Sequence, residues 1–143
     1  MTNPENRTGV HIKTINHVGQ PITDRYKSLP IYRDLIGLEV IPAMEDGKSL
    51  VWTETQDHTM VHVIEGAPIP HVAFEVEDFD AALAAVRAAG IEIIKGPLER
   101  VDGQRAFYCF DPDGNRLEFT TARNLKPLAR QRVVDEWGHT SEV

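Results

Sequence analysis

The stretch Ile15-Asn16-His17-Val18 decides the fold, because it recurs 54 residues later as Ile69-Pro70-His71-Val72. The likeness continues in register beyond these tetrapeptides, and after a one-residue deletion both copies reach a glycine, Gly37 and Gly90. A repeat of this length is typical of a duplicated supersecondary unit. The chain is therefore predicted to fold as a single domain over 14–121 that consists of two equivalent modules, 14–66 and 68–121.

Both modules have the pattern of a β-α-β-β-β unit, which predicts an α+β fold. In module two, Asp78 is a good helix N-cap and Gly90 a good helix stop. Pro30 would disrupt a helix that begins at Asp24, so Ser28 is favoured as the cap of a short helix over 29–36. The strands are predicted at 14–22, 38–42, 48–55 and 59–65 in module one, and at 71–76, 91–95, 105–110 and 116–121 in module two.

Composition excludes several classes of protein. The chain has 143 residues, of which 41% are hydrophobic and 26% charged, and its formal net charge is −7. An acidic surface repels nucleic acid, one cysteine cannot form an internal disulfide, and no apolar run is long enough to span a membrane. We expect a cytoplasmic protein that acts on a small-molecule substrate. Residues 1–13 are expected to be flexible, and for 122–143 the sequence leaves a docking helix and an irregular tail equally open.

Four polar side chains occupy equivalent places in the two modules. His17 and His71 lie in the first strands, while His62 and Glu118 lie in the fourth strands among apolar neighbours. If the first and fourth strands of each module are adjacent, these side chains converge on the inner face of a curved sheet. Three imidazoles and one carboxylate suit a divalent metal ion such as Zn, Ni, Mn or Fe(II).

Other chemistry-bearing residues give weaker signals. Strand position and side-chain chemistry mark Trp52, Arg105 and Tyr108 as candidate cavity residues, and Gln104 and Arg105 could form a loop over the cup. Cys109 lies in a strongly apolar run and is expected to be a buried, unreactive thiol. The remaining histidines have no equivalent in the other module and are expected at the surface; they are His11, His58 and His139.

In these segments the sequence resembles the vicinal oxygen chelate superfamily. This superfamily includes glyoxalase I, methylmalonyl-CoA epimerase, fosfomycin-resistance enzymes, extradiol dioxygenases and bleomycin-binding proteins. The resemblance covers about 14–121, and its best-matching segments are 15–18, 28–38, 71–76 and 111–119. It implies paired β-α-β-β-β modules that form a cupped, partly closed mixed sheet with a metal in the cup.

The resemblance also implies roles for individual residues. His17, His71 and Glu118 fall on the superfamily's ligand positions, whereas His62 stands where glyoxalase-like members carry Glu and epimerase-like members Gln. His62 is thus either a fourth ligand or a base that leaves the metal, and Glu118 is a second candidate base. The potassium-binding and phosphonate-binding features of the fosfomycin enzymes are not evident, which argues against that activity.

Three functions follow from this resemblance. The first is a metal-dependent lyase or isomerase of glyoxalase type, acting on a small substrate that chelates the ion through two neighbouring oxygens. The second is an extradiol ring-cleavage dioxygenase, which a fourth protein ligand would disfavour because it takes up room needed for O2 and substrate. The third is a non-catalytic small-molecule binding protein. We expect a homodimer, although the site could lie within one chain or between two.

Overall fold

A computed structural model describes residues 10–41, 50–100, 103–122, 132–134 and 140–142. Its main feature is one mixed sheet of eight strands in the order β2-β3-β4-β1-β5-β8-β7-β6, which is not closed into a barrel. The strands are β1 Ile12–Ile22, β2 Glu39–Ile41, β3 Leu50–Glu54, β4 Met60–Glu65, β5 His71–Val76, β6 Lys95–Glu99, β7 Arg105–Phe110 and β8 Arg116–Thr120. The helices are α1 Arg25–Leu29, which continues as a π-helical segment over Pro30–Leu35, and α2 Phe79–Ala88.

The predicted α+β class and the duplicated architecture are confirmed by this topology. β1 pairs with β4 in parallel, and β5 pairs with β8 in parallel, so the first and fourth strands of each module are neighbours. β1 and β5 then pair antiparallel and join the two modules into one continuous sheet. Because this joint lies within a single chain, the four candidate site residues come from one molecule.

Module two follows the prediction except at its second strand. The Asp78 side chain accepts a hydrogen bond from the backbone N–H of Ala81 at 3.0 Å, and Gly90 ends the helix with φ of 77°. The second strand was predicted at 91–95, but β6 begins at Lys95 and runs through Gly96-Pro97. Proline is tolerated there because β6 is the last strand of the sheet and has a free edge.

The helix of module one begins earlier than predicted. Asp24, not Ser28, is the N-cap, and its carboxylate accepts from the backbone N–H of Tyr26 at 2.9 Å. Pro30 therefore lies inside the helical run, where its ring crowds the preceding turn. The helix widens at this point into i→i+5 bonding, with the N–H of Ile36 bonded to the carbonyl of Ile31 at 2.9 Å, which accommodates the proline.

The two faces of the sheet have different roles. On one face the apolar side chains pack against the helices, with a larger core cluster in module two and a smaller one around Leu29 in module one. Cys109 is part of the larger cluster and is 2% exposed, as predicted for an inert thiol. The opposite face carries His17, His62 and Glu118, all of them buried, and forms the floor of the cup.

The described parts of the C-terminal segment are extended, not helical. Arg132–Val134 and Thr140–Glu142, here β9 and β10, pair as a short antiparallel sheet. The other residues considered for a docking helix, among them Leu125, Leu128 and Trp137, lie outside the described residues. At the other end, β1 begins at Ile12, while residues 1–9 lie outside the described part. In the part of the chain that the structure describes, no helix is long and apolar enough to cross a bilayer.

Candidate metal centre

The strand register brings the four candidate residues together around two very small ones. In one row across the sheet, Gly19 lies between His62 on β4 and His71 on β5. In the neighbouring row, Ala73 lies between His17 on β1 and Glu118 on β8. The small residues leave the centre of the floor open, so that the larger side chains lean over it from both sides.

Three of these side chains form a compact group of donor atoms. The Nε2 atoms of His17 and His71 are 3.1 Å apart, and they lie 3.2 and 3.4 Å from Oε1 of Glu118. Two ligand atoms bound at about 2.1 Å to one ion, with an angle of about 90–110° between them, are about 3.0–3.4 Å apart. The spacing of this His17, His71 and Glu118 cluster therefore fits one divalent ion, and all three side chains are buried.

His62 lies beside this cluster and is not part of it. Its ring stacks on His17, with centroids 3.8 Å apart and planes inclined by 19°, and its other side stacks on Trp52 at 4.7 Å and 5°. The Nε2 atom of His62 is buried and has no hydrogen-bond partner. This sandwich holds the ring beside His17, one of the three residues of the cluster.

A β-bulge at Asn16 sets the direction of His17. The pairing of β1 with β5 shifts register between Ile15 and His17, so the alternation of the strand is broken. Ile15 is consequently 46% exposed while Asn16 and His17 are both buried. The Oδ1 atom of Asn16 accepts from Nδ1 of His17 at 2.8 Å, which leaves Nε2 unprotonated and directed at the other donors.

The charge states of the cluster suit a cation. Burial is the main reason that the pKa of His17 is lowered and that the pKa of His62 lies well below its usual value. Burial alone would raise the pKa of Glu118, but the imidazoles of His17 and His71 outweigh it and hold this pKa well below the ordinary range. Neutral imidazoles beside an ionised carboxylate are the forms in which these side chains bind metals.

The cup above the cluster is a cavity of about 340 Å³. Trp52 and Tyr108 line it, as the sequence predicted, and burial raises the pKa of the Tyr108 hydroxyl, which therefore stays protonated. Three cationic side chains also line it; they are Lys95, Arg100 and Arg116. They were not predicted, because they come from separate elements of module two.

The prediction for Arg105 is wrong, while Gln104 lines the cup. Arg105 points toward α2, where its Nη1 donates to Asp80 at 3.1 Å and its guanidinium lies 4.2 Å from the ring centroid of Phe79. Adjacent residues of a strand point to opposite faces, so only one of the pair could reach the cavity. Gln104 is held by its Nε2, which donates to the hydroxyl of Thr120 at 2.9 Å.

A comparison with known protein families identifies the superfamily of this chain. The family model described as "Glyoxalase/Bleomycin resistance protein/Dioxygenase superfamily" matches residues 14–119, which include both modules and all three donors of the cluster. The chain belongs to this superfamily. The membership confirms the resemblance found in the sequence and explains why the two modules share one sheet.

Individual relatives of this superfamily protein have different names. It is 24% identical over 123 residues to "Metallothiol transferase FosB" of Staphylococcus epidermidis, covering 78% of this chain and 84% of the relative. It is 28% identical over 129 residues to "Lactoylglutathione lyase" of Haemophilus influenzae, covering 78% and 95%. A homoprotocatechuate 2,3-dioxygenase structure from B. fuscum superposes with a TM-score of 0.66 at 22% identity, covering 82% of this chain and 34% of that one.

These names show metalloenzymes of several reaction types within one superfamily. The likeness to FosB was not expected, since the sequence analysis argued against the fosfomycin enzymes. The chain spans only about a third of the dioxygenase's length, so that match shows the fold alone. The superfamily thus supports a metal-binding role for the His17, His71 and Glu118 cluster without selecting one reaction.

Gly19 is a residue that the sequence analysis missed, and it can be tested directly. A Cβ at this position would come within 2.1 Å of Cε1 and 2.3 Å of Nδ1 of His71, so Gly19→Ala must displace that ring. We expect metal affinity to fall about 10- to 100-fold, as for other residues that hold a ligand in place. Calorimetric metal titration measures this, with Gln20→Ala on the opposite face as the control. An unchanged affinity would show that His71 need not occupy its observed position.

Asn16 gives a second prediction, of smaller size. Asn16→Ala removes the acceptor that orients His17, and metal affinity should fall about tenfold. Asn16→Asp restores the acceptor for Nδ1 of His17 but loses the bond that Nδ2 of Asn16 donates to Glu75, so it should recover only part of the loss. The same titration measures both variants. Equal affinity in wild type and Asn16→Ala would mean that the bulge alone positions His17.

Proposed function

We propose that the protein is a divalent-metal enzyme in which His17, His71 and Glu118 hold the ion. The substrate is a small molecule that chelates this ion through two neighbouring oxygens, and His62 is the base that moves a proton on it. The reaction class is that of a lyase or isomerase of glyoxalase type. The observation that carries this proposal is the three-donor cluster with the free Nε2 of His62 beside it.

The position of His62 supports a base rather than a fourth ligand. The donor atoms of His17, His71 and Glu118 form one group that does not include His62, whose ring is stacked between His17 and Trp52. A base needs an unprotonated nitrogen within reach of the substrate and a fixed orientation. His62 lines the cup, its lowered pKa leaves the ring neutral, and the stack on either side of the ring keeps it from turning away.

The other groups in the cup have separate roles in the proposed reaction. A bound divalent ion supplies Lewis-acid stabilisation of negative charge on the chelating oxygens. His62 takes the proton at Nε2, while Arg100, whose Nη2 donates to the Tyr108 hydroxyl at 2.8 Å, holds that hydroxyl at the edge of the site. The buried walls exclude water, which strengthens electrostatic contacts with the substrate.

Ring cleavage of a catechol-like substrate is the second candidate. Two histidines and one carboxylate are the ligand set typical of Fe(II) oxygenases, in which three positions stay open. If His62 occupied one of those positions, less room would remain for O2 and substrate. The three-donor cluster without His62 supports this candidate, because it leaves those positions open.

Metal content and a substrate panel test these proposals together. Protein purified without chelator should contain one divalent ion per chain, and reconstitution with Zn, Ni, Mn or Fe(II) should precede each assay. Proton exchange in thiol adducts of 2-oxo-aldehydes and in acyl thioesters tests the first candidate, and oxygen uptake with catechols tests the second. Thiol consumption with fosfomycin tests the transferase named among the relatives. Stoichiometric metal without turnover in any arm would favour a binding protein instead.

A further inference from the structure

Positive charge in the cup comes entirely from module two. Among the described lining residues, the lysine and arginines are Lys95 at the start of β6, Arg100 just after it, and Arg116 on β8. The whole chain carries a formal charge of −7, so this local excess is not a general property of its surface. A divalent ion held by a single carboxylate would add to it. An excess of positive charge in a cavity attracts and retains anions.

Tyr108 gathers these three cations on one wall. The guanidinium carbon of Arg116 lies 4.6 Å from the centroid of its ring, and Nζ of Lys95 lies 5.4 Å from the same centroid. The third cation, Arg100, donates to the hydroxyl at 2.8 Å. A ring face attracts cations that would otherwise repel one another, so Tyr108 stabilises a group of like charges. We call Lys95, Arg100 and Arg116 the cationic wall.

Two buried donors that line the cup lack an acceptor. They are Nε of Arg116, in the cationic wall, and Nε1 of Trp52, on β3 of module one, and both atoms can only donate. The two carboxylates that line the cup have other partners than Arg116. Glu118 belongs to the metal cluster and has its Oε2 3.9 Å from Nη2 of Arg100, and Glu65 accepts from Arg25. Buried donors are costly unless they are paired, which indicates that a ligand supplies the acceptors.

The opposite wall has the reverse character. Module one and the linker contribute apolar side chains at this side of the cavity; they are Leu50, Ile64, Ala67 and Pro68. The one carboxylate among the described residues there, Glu65, is paired with Arg25. A molecule that spans the cup therefore meets hydrogen-bond donors and positive charge at one end and apolar surface at the other.

We propose that the substrate carries an oxyanion, a carboxylate or a phosphonate, that binds to the cationic wall, and an apolar body that lies against module one. This inference rests on the proposed function for the part of the substrate that chelates the ion. The oxyanion itself is recognised by protein side chains. It is therefore distinct from the two chelating oxygens and is present whichever reaction the site performs.

Calorimetric binding of three matched probes tests the proposal. Benzoate and phenylphosphonate carry the two oxyanions, and benzamide is the neutral analogue; each is titrated into protein loaded with one Zn ion and into metal-free protein. Both anions, or one of them, should bind at least about tenfold more tightly than benzamide in each form, and the tighter anion identifies the oxyanion. Arg116→Gln should weaken the anion about 10- to 100-fold and leave benzamide unchanged.

Control variants separate the wall from general charge effects. Arg105→Gln removes the same charge from the helix side of the sheet and should leave all three affinities unchanged. Lys95→Gln, at an exposed position of the wall, should weaken the anion a few-fold and serves if Arg116→Gln does not fold. Equal binding of benzoate, phenylphosphonate and benzamide, or equal effects of the wall variants and Arg105→Gln, would overturn the proposal. Wall-dependent anion binding by a chain that never holds metal would contradict only the proposed function.

Discussion

Glu118→Gln should lower the affinity for divalent metal by at least about 100-fold, because it removes the only anionic ligand of a buried site. Glu118 is 1% exposed, and its Oε1 lies 3.2 and 3.4 Å from the Nε2 atoms of His17 and His71. The amide matches the carboxylate in size, so packing against Tyr108 and Ala73 is kept. Metal content after dialysis against a weak chelator measures the effect, with one ion per chain expected in wild type and none in the variant.

Two comparisons make this result specific. His17→Ala and His71→Ala should lose the ion in the same way, since each removes one of the three donors. Glu99→Gln on the exposed edge strand β6 removes an equal charge and should keep the ion. Retention of a full equivalent of metal by Glu118→Gln would contradict the assignment of this carboxylate as a ligand.

His62→Gln should keep the ion and lose turnover by about 10²- to 10⁴-fold, the usual contribution of a positioned base. The substitution removes the buried Nε2, while the three donors stay in place. The measurement is the rate of whichever reaction the substrate panel reveals, together with metal content on the same sample. Because both values come from one preparation, a lost base and a lost ligand are told apart.

The matched control for this variant is His58→Gln. His58 lies outside the cup, with a side chain that is 71% exposed and hydrogen-bonded to Glu54, so neither metal nor turnover should change. Loss of the ion from His62→Gln would show that His62 is a ligand and that its stacked position changes on metal binding. Full turnover with metal retained would remove His62 from the mechanism.

Much of the fold could be predicted because the internal repeat shows that the chain consists of two equivalent modules. Matching His17 with His71 aligned the two modules and predicted the same arrangement in both, whereas the pairing of β1 with β4 and of β5 with β8 is known only from the structure. Local chemistry was sufficient for α2, where Asp78 and Gly90 mark the two ends. It was insufficient at Pro30, because the sequence does not show that a helix can widen to accept a proline within it.

The candidate site was predicted in part for a similar reason. Equivalence between modules selected the four side chains, but it could not distinguish a ligand from a neighbour. Nor could the sequence show the stack of His62 between Trp52 and His17, which is set by contacts across three strands. The sequence also left open whether the site lies within one chain, which follows only from the pairing of β1 with β5.

Two residues that support the site left signals that could have been used. A glycine inside a strand, such as Gly19, often marks a close approach by another group. The broken alternation at Ile15 and His17 is the pattern of a β-bulge, which commonly redirects a side chain at a site. The cationic wall left no such signal, because its members are spread over 95–116 and share no motif.

Anomalous diffraction at the absorption edge of the bound metal tests the central claim most directly. Crystals of protein loaded with one equivalent of Zn should show a single peak within about 2.3 Å of Nε2 of His17, Nε2 of His71 and a carboxylate oxygen of Glu118. The His62 ring should remain stacked between His17 and Trp52 and lie outside bonding distance. A peak at another place, or one that these three donors do not share, would contradict the account.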